Sequence, residues 1–292
     1  MFNSIKDSKL EVDIDSFGAQ IIRIKSTSGT DYLWNGDPKY WAGRAPNLFP
    51  YIGRLTDESY FLDSIKYSMS IHGFAWQSEF NISTQSNNSI TFTLHESEET
   101  LKQYPYYFTL NITYSLTDNV LEVHYEINNK DEKTMFFGLG GHPAFNIPFD
   151  NKLNFDDYYL EFDHPCIPTQ IGMTDDCFVS GHNLSMPLNN DKIIKLNHNL
   201  FDNDAIILKD MSTAVAIKSD LSSKMVTVKY PFMKYLGIWH MPRTDAPYVC
   251  LEPWSSLPSR KGIVEDLSCQ SDLIRLSSGA IYHNTWSIEI YE

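Results

Sequence analysis

The sequence predicts an all-β protein, a large antiparallel β-sandwich with few short helices, and three observations lead to that fold class. Apolar residues recur with a period of two along most of the chain, which is typical of strands with one buried face. Strands and helices do not alternate in the pattern, so we do not expect a parallel sheet. No internal repeat and no glycine- or serine-rich linker divides the chain, so we expect one domain over residues 1–292.

The first strands are predicted where Leu10, Val12 and Ile14 alternate with charged residues, and where Ile22 and Ile24 do the same. Two hairpins follow, and the remaining segments are single strands or a short helix. The hairpins pair residues 80–84 with 90–94 and residues 108–116 with 121–127; the single strands are 158–162, 214–217, 225–230, 236–240, 248–252 and 286–291; the helix is 98–104, which Pro105 ends.

Composition excludes several classes of function. The 292 residues include 37 acidic and 23 basic side chains, a net charge of −14 that disfavours a broad nucleic-acid-binding face. The longest uncharged run, residues 134–149, contains three glycines and two prolines and is too short to cross a membrane. The N-terminal residues do not resemble a signal peptide, so we expect a cytoplasmic protein. We also expect it to be either a monomer or a homodimer.

The four cysteines have spacings that do not suggest a disulfide framework or a zinc site. They are Cys166, Cys177, Cys250 and Cys269, with no Cys-x-x-Cys pair. In a chain of this length we expect reduced thiols that pack in the core.

Two segments in the first third of the chain break the strand alternation. Residues 43–54 contain two prolines and two glycines and end at Arg54, which either forms a surface ion pair or donates two hydrogen bonds to an oxygen-rich ligand. The His72-Gly73-Phe74 motif follows. Its imidazole either packs against a backbone carbonyl or contributes to a site.

Two further segments combine glycine, polar and aromatic residues. Gly138, Gly140 and Gly141 precede His142, which indicates a special backbone that fixes the position of the imidazole, or else a structural turn histidine. Glu252 stands at a predicted strand end and either points to solvent or lines a cleft. The nearby Trp254 favours the cleft.

A histidine and a glutamate without a serine or cysteine nucleophile elbow suit proton transfer better than covalent catalysis. The sequence contains no metal-ligand spacing such as His-Glu-x-x-His, no phosphate-binding Gly-x-x-x-x-Gly-Lys and no dinucleotide fingerprint. We therefore expect neither a metal nor an organic cofactor. The simplest reaction that needs only an acid and a base is the opening and reclosing of a cyclic hemiacetal.

The four segments together resemble the aldose 1-epimerase, or galactose mutarotase, family, and within it the mutarotase-related branch encoded with bacterial lactose operons. The resemblance extends over essentially the whole chain. The motifs that carry it, in family order, are Asn47-Leu48-Phe49-Pro50 before Arg54, His72-Gly73-Phe74, Gly141-His142-Pro143-Ala144-Phe145-Asn146 and Leu251-Glu252-Pro253-Trp254. The family fold is a large antiparallel β-sandwich whose cleft holds the sugar.

The resemblance implies a role for individual residues. His142 would be the general acid that protonates the ring oxygen, and Glu252 the general base that takes the proton from the anomeric hydroxyl. Arg54 and His72 would position the sugar. Asp204 resembles the aspartate that binds sugar hydroxyls, with Asp202 as a rival position.

Phe74 and Trp254 would suit the apolar faces of a sugar ring, as would Trp76. Around the acid, the run Gly140-Gly141-His142-Pro143-Ala144 replaces the asparagine-threonine-histidine stretch of mutarotases proper, and Pro253-Trp254 follows the base where threonine-glutamine is usual. The leading hypothesis is interconversion of hexose anomers. A hexose-phosphate epimerase, using Arg44 or Arg243, and a sugar-binding protein without turnover remain as alternatives.

Overall fold

The computed structural model describes residues 2–292, and strands dominate these residues. Its single α-helix, α1, spans Glu98–Gln103, and short 3₁₀ turns occupy Thr56–Glu58, Ala75–Gln77, Phe155–Asp157 and His198–Phe201. The strands in chain order are β1 (Phe2–Lys6), β2 (Leu10–Asp15), β3 (Gln20–Ser26), β4 (Asn47–Leu48), β5 (Ser59–Leu62), β6 (Ile65–Ser68), β7 (Asn81–Gln85), β8 (Ser89–His95), β9 (Phe108–Thr117), β10 (Val120–Asn129), β11 (Met135–Phe137), β12 (Gly140–Gly141), β13 (Ala144–Asn146), β14 (Tyr159–Phe162), β15 (Thr169–Gln170), β16 (Leu184–Ser185), β17 (Ile193–Lys195), β18 (Ile206–Lys209), β19 (Ala214–Ser219), β20 (Ser222–Lys229), β21 (Tyr235–Trp239), β22 (Tyr248–Trp254), β23 (Ile274–Leu276) and β24 (Ile281–Tyr291).

Two large antiparallel sheets form the sandwich, which confirms the predicted fold class. The first sheet has nine strands in the order β17-β14-β19-β20-β24-β10-β9-β8-β7. The second has the order β16-β15-β18-β21-β22-β12-β4, and β13 also pairs with β22 to make eight strands. Smaller sheets are β1-β2-β3, β5-β6 and β11-β23. None of the helices among residues 2–292 has the length and hydropathy to cross a bilayer.

The predicted hairpin of residues 108–127 is confirmed as β9 and β10, the centre of the nine-stranded sheet. The two strands pair in continuous register from Val120 opposite Thr117 to Asn129 opposite Phe108. Every second side chain is fully buried, because this face meets the eight-stranded sheet while the other face meets solvent.

Some predictions needed correction at the level of single residues. In β3 the buried isoleucines are Ile21 and Ile24, whereas Ile22 is only partly buried. A register shift in the β2–β3 pairing at Asp13/Ile14 marks a bulge, and a bulge changes which side chains face the core. The helix is confirmed: Ser97 caps α1 by accepting a hydrogen bond from the Thr100 backbone N–H at 3.2 Å.

The face of the eight-stranded sheet that points away from the sandwich interior positions the functional side chains. In β22, Val249 and Leu251 belong to the main core cluster, so the alternate residues Cys250, Glu252 and Trp254 lie on the opposite face. Loops that precede and follow the strands of this sheet fold over that face and leave a cleft.

Candidate active site

A cleft of about 590 Å³ lies over the eight-stranded sheet, and aromatic and polar side chains line it. This volume is in the usual range for a small-molecule site. The lining includes seven of the residues singled out from the sequence: Arg54, His72, Trp76, His142, Asp204, Glu252 and Trp254.

His142 follows β12 at the floor of the cleft, and the glycines before it are a steric requirement. A Cβ atom on Gly141 would lie 2.6 Å from Cζ2 of Trp286 in the opposite sheet. The His142 ring stacks on Trp41 with ring centroids 4.7 Å apart, and Trp239 meets its edge at 5.8 Å. Packing therefore fixes the ring, while its Nδ1 atom is buried without a hydrogen-bond partner.

Glu252 enters the cleft from β22, opposite Gly237 of β21. Its side chain is only 2% exposed, which settles the choice between solvent and cleft. No lysine or arginine pairs with it among the described residues. Its Oε2 atom lies 3.1 Å from Nε2 of His142 but does not meet hydrogen-bond geometry.

Burial shifts both members of this pair towards their neutral forms. Desolvation, with a smaller contribution from His72, lowers the pKa of His142 well below 6.5. Desolvation, together with the charge of Asp204, raises the pKa of Glu252 well above 4.5, although the nearby Trp254 N–H works in the opposite direction. Burial therefore favours the neutral forms of both groups, and transfer of the Glu252 carboxyl proton to His142 would produce an ion pair with the same net charge.

His72 is held in one orientation by a reciprocal contact with Gly53. The backbone N–H of His72 donates to the Gly53 carbonyl at 3.0 Å, and the backbone N–H of Gly53 donates to the ring Nδ1 of His72 at 3.1 Å. Because Nδ1 accepts, the neutral ring carries its proton on Nε2 and is a donor there. Burial and the nearby Arg54 lower the pKa of His72 to about 4, so it is neutral at physiological pH.

Arg54 is exposed at the cleft, and no carboxylate of the described residues lies within ion-pair distance of it. Among residues 2–292, Arg54 therefore does not form the surface ion pair that the sequence analysis considered. Across the cleft, Asp204 accepts a hydrogen bond from the Cys177 thiol at 2.8 Å and one from the Ala205 N–H at 2.8 Å. Asp204, and not its rival Asp202, lines the cleft.

Phe74, which the sequence analysis placed against the sugar ring, does not line the cleft. It is 5% exposed and packs against Phe49, Tyr104 and Phe108 in the core, with ring centroids about 6 Å apart. Its place two residues after His72 suggested a cleft residue, but the chain turns at Gly73, and the His72 side chain lines the cleft while that of Phe74 enters the core. A Cβ atom at Gly73 would lie 2.3 Å from the Phe49 carbonyl oxygen.

Several lining residues were not predicted as site residues from the sequence. Trp41 and Trp239 pack against the His142 ring, and Cys177 contacts Asp204. The position of Trp41 two residues before the shaped loop at 43–54 was an available signal. Cys177 gave none, because its loop carries no motif and reaches the cleft only through tertiary structure.

The sequence also matches known proteins. The family model for aldose 1-epimerase matches residues 2–264. The chromosomal protein LacX of Lactococcus lactis subsp. lactis is 33% identical over 267 residues, 87% of each chain.

Solved structures extend the similarity over the full length. The galactose mutarotase related enzyme from Lactobacillus acidophilus is 32% identical, with a TM-score of 0.95 over 100% of this chain and 97% of that one. A galactose mutarotase-like protein from Lactobacillus casei is 33% identical, with a TM-score of 0.93 over 99% of this chain and 100% of that one. The match of the family model over most of the sequence shows that this chain belongs to the aldose 1-epimerase family.

Proposed function

We propose that this protein interconverts the α and β anomers of an aldohexose of the galactose or glucose type. One observation carries the proposal: a buried histidine and glutamate face each other at 3.1 Å in a cleft, and each has a polar atom without a hydrogen-bond partner. Buried polar groups are nearly always paired, so a ligand with hydroxyl groups would complete this site.

The reaction uses the pair in its ion-pair form, with Glu252 ionised and His142 protonated. Glu252 takes the proton from the anomeric hydroxyl while His142 donates its proton to the ring oxygen. The bond between C1 and the ring oxygen breaks, and a carbonyl forms at C1. Rotation about the bond between C1 and C2 exposes the other carbonyl face, and ring closure returns both protons and gives the other anomer.

The surrounding residues would position the sugar. Arg54 and the Nε2–H of His72 supply donors, and the carboxylate of Asp204 accepts from sugar hydroxyls. Trp254 and Trp76, which both line the cleft, offer flat apolar surfaces to the sugar ring.

The charge of the cleft favours a neutral sugar over a sugar phosphate. Among the residues that line it, Arg54 is the only arginine and no lysine is present. Arg44 donates instead to the Ile22 carbonyl at 2.8 Å, and Arg243 is exposed outside the lining. We infer a cytoplasmic enzyme that acts on free sugar without a metal or organic cofactor, so EDTA should leave its activity intact.

Polarimetry on freshly dissolved α-D-galactose and α-D-glucose tests the proposal. We expect the protein to accelerate the decay of optical rotation, and we expect Glu252→Gln and His142→Asn to abolish that acceleration. α-D-glucose 6-phosphate, assayed in parallel, should be a poorer substrate. Tight sugar binding without acceleration would instead identify a sugar-binding protein and overturn the proposal.

A further inference from the structure

Cys250 is a buried thiol that the proposed reaction does not use, and it lies next to the two groups that the reaction does use. It precedes Glu252 by two residues in β22 and therefore shares its face of the sheet. A ring nitrogen of His142, the Cys250 Sγ atom and a carboxylate oxygen of Glu252 all lie within 4.8 Å of one another. All three residues are buried, with Cys250 fully so.

One nitrogen, one sulfur and one oxygen donor are the ligand types that zinc and similar divalent cations take in proteins. Two ligands at 2.0–2.2 Å from a tetrahedral metal lie about 3.3–3.6 Å apart. The separation of His142 Nε2 and Glu252 Oε2 is 3.1 Å, so these two atoms already have close to the required spacing. Since His142 and Glu252 line the cleft, a fourth position would be open to water or to a sugar hydroxyl.

We propose that His142, Cys250 and Glu252 form an inhibitory site for a thiophilic divalent cation of the zinc class. Binding replaces the proton of the Cys250 thiol and the proton of the Glu252 carboxyl group. One cation enters, two protons leave, and the resulting complex of the cation, thiolate, carboxylate and neutral imidazole carries no net charge. The inhibitory effect rests on the proposed function, whereas the binding of the metal does not.

The affinity should be moderate and reversible. The Nδ1 atom of His142 has no hydrogen-bond partner, whereas histidine ligands of high-affinity sites donate through their second nitrogen. Loss of such a partner weakens metal binding by about 10–100-fold. A chelator should therefore restore the activity of the protein fully.

Cobalt(II) titration tests the binding directly, because a cobalt–thiolate bond produces a charge-transfer absorption band in the near ultraviolet. We expect this band in the wild-type protein, its displacement by zinc, and its loss in Cys250→Ser. The matched controls Cys177→Ser, in the same cleft, and Cys269→Ser, at an exposed thiol, should keep the band. Absence of the band in wild type, or its persistence in Cys250→Ser, would overturn the proposal.

Polarimetry then tests the consequence. Zinc should inhibit the wild-type protein, and Cys250→Ala and Cys250→Ser should each raise the inhibitory zinc concentration at least tenfold. A cobalt band in a protein without epimerase activity would support the metal site and contradict the proposed function. Epimerase activity without a cobalt band or zinc inhibition would support the proposed function and contradict the metal site. Near-ultraviolet circular dichroism of each variant shows that it has folded.

Discussion

Two clusters of buried polar groups lie on opposite sides of β12, and they differ in how far their hydrogen bonds are satisfied. Below the strand, Asn47 donates to the carbonyls of Gly18 and Ala19 at 3.0 and 2.9 Å. It also accepts from the Tyr125 hydroxyl at 2.8 Å, and the Trp286 indole donates to that hydroxyl at 3.2 Å. This cluster is complete within the protein.

Above the strand, the cleft cluster is incomplete. His142 Nδ1, Glu252 Oε2 and the Trp254 indole nitrogen are all buried and have no hydrogen-bond partner. A buried polar group without a partner costs about 1–3 kcal/mol. The contrast teaches that the lower cluster stabilises the fold, whereas the upper cluster costs stability, and we infer that its unpaired atoms serve the proposed function.

The largest effect should come from Glu252→Gln. We expect kcat/KM for anomer interconversion to fall about 10²–10⁴-fold, because an amide cannot accept the anomeric proton. The free energy of unfolding should stay unchanged or rise, since a buried carboxyl group without a cationic partner is removed. Polarimetry and urea unfolding measure the two quantities.

Glu265 provides the matched control, because it is also buried but is paired with Arg260 by hydrogen bonds of 2.9 and 2.8 Å. Glu265→Gln should destabilise the protein by roughly 1–3 kcal/mol and leave the activity per folded molecule unchanged. If Glu252→Gln were the more destabilised of the two, the contrast between the clusters would be wrong.

Asn47→Ala should act in the opposite sense. It removes the centre of the lower cluster and leaves the Tyr125 hydroxyl with fewer partners, so we expect unfolding to become easier by about 2–4 kcal/mol. The exposed residue Asn199 is the control, and Asn199→Ala should change stability by less than about 0.5 kcal/mol. Equal effects in urea unfolding would show that the satisfied cluster carries no special stability.

The neutral histidines predict sensitivity to acid. His240 is fully buried, and desolvation lowers its pKa to about 4. Between pH 6.5 and pH 4 the unfolded chain therefore binds a proton that the folded protein does not, so stability falls as the pH falls, by at most about 1.4 kcal/mol per pH unit. His240→Gln should reduce the slope of unfolding free energy against pH, and the exposed-site variant His182→Gln should not. Equal slopes in the two variants would contradict the assignment.

The smallest effect should come from Arg54→Lys. An ammonium group cannot reproduce the forked donor pair of a guanidinium, so we expect KM for galactose to rise about tenfold with a smaller change in kcat. Arg44→Lys is the control, because Arg44 bonds a backbone carbonyl outside the cleft. A larger change in Arg44→Lys would place the positioning cation elsewhere.

The sequence predicted the sheet core well because strand alternation there follows from one-sided burial, as in β9 and β10. It predicted less where tertiary contacts decide. The five polar-rich residues of β7 are all exposed at a sheet edge, and β24 begins at Ile281, five residues before the predicted start at 286. In the site, glycine-flanked His142 and strand-end Glu252 carried a signal of their own. The packing of Phe74 in the core and the position of Cys177 in the cleft depend on tertiary contacts that no local sequence pattern predicts.

The contact between Gly141 and the Trp286 indole constrains how this protein can diversify. Strand β12, which ends immediately before His142, rests at Gly141 directly on the opposite sheet, so the thickness of the sandwich sets the depth of His142 in the cleft. A larger or smaller substrate cannot be accommodated by moving this floor without repacking the interior. If the proposed function holds, adaptation to new sugars would have to occur in rim loops such as 173–177, which lie outside the strands of the two large sheets.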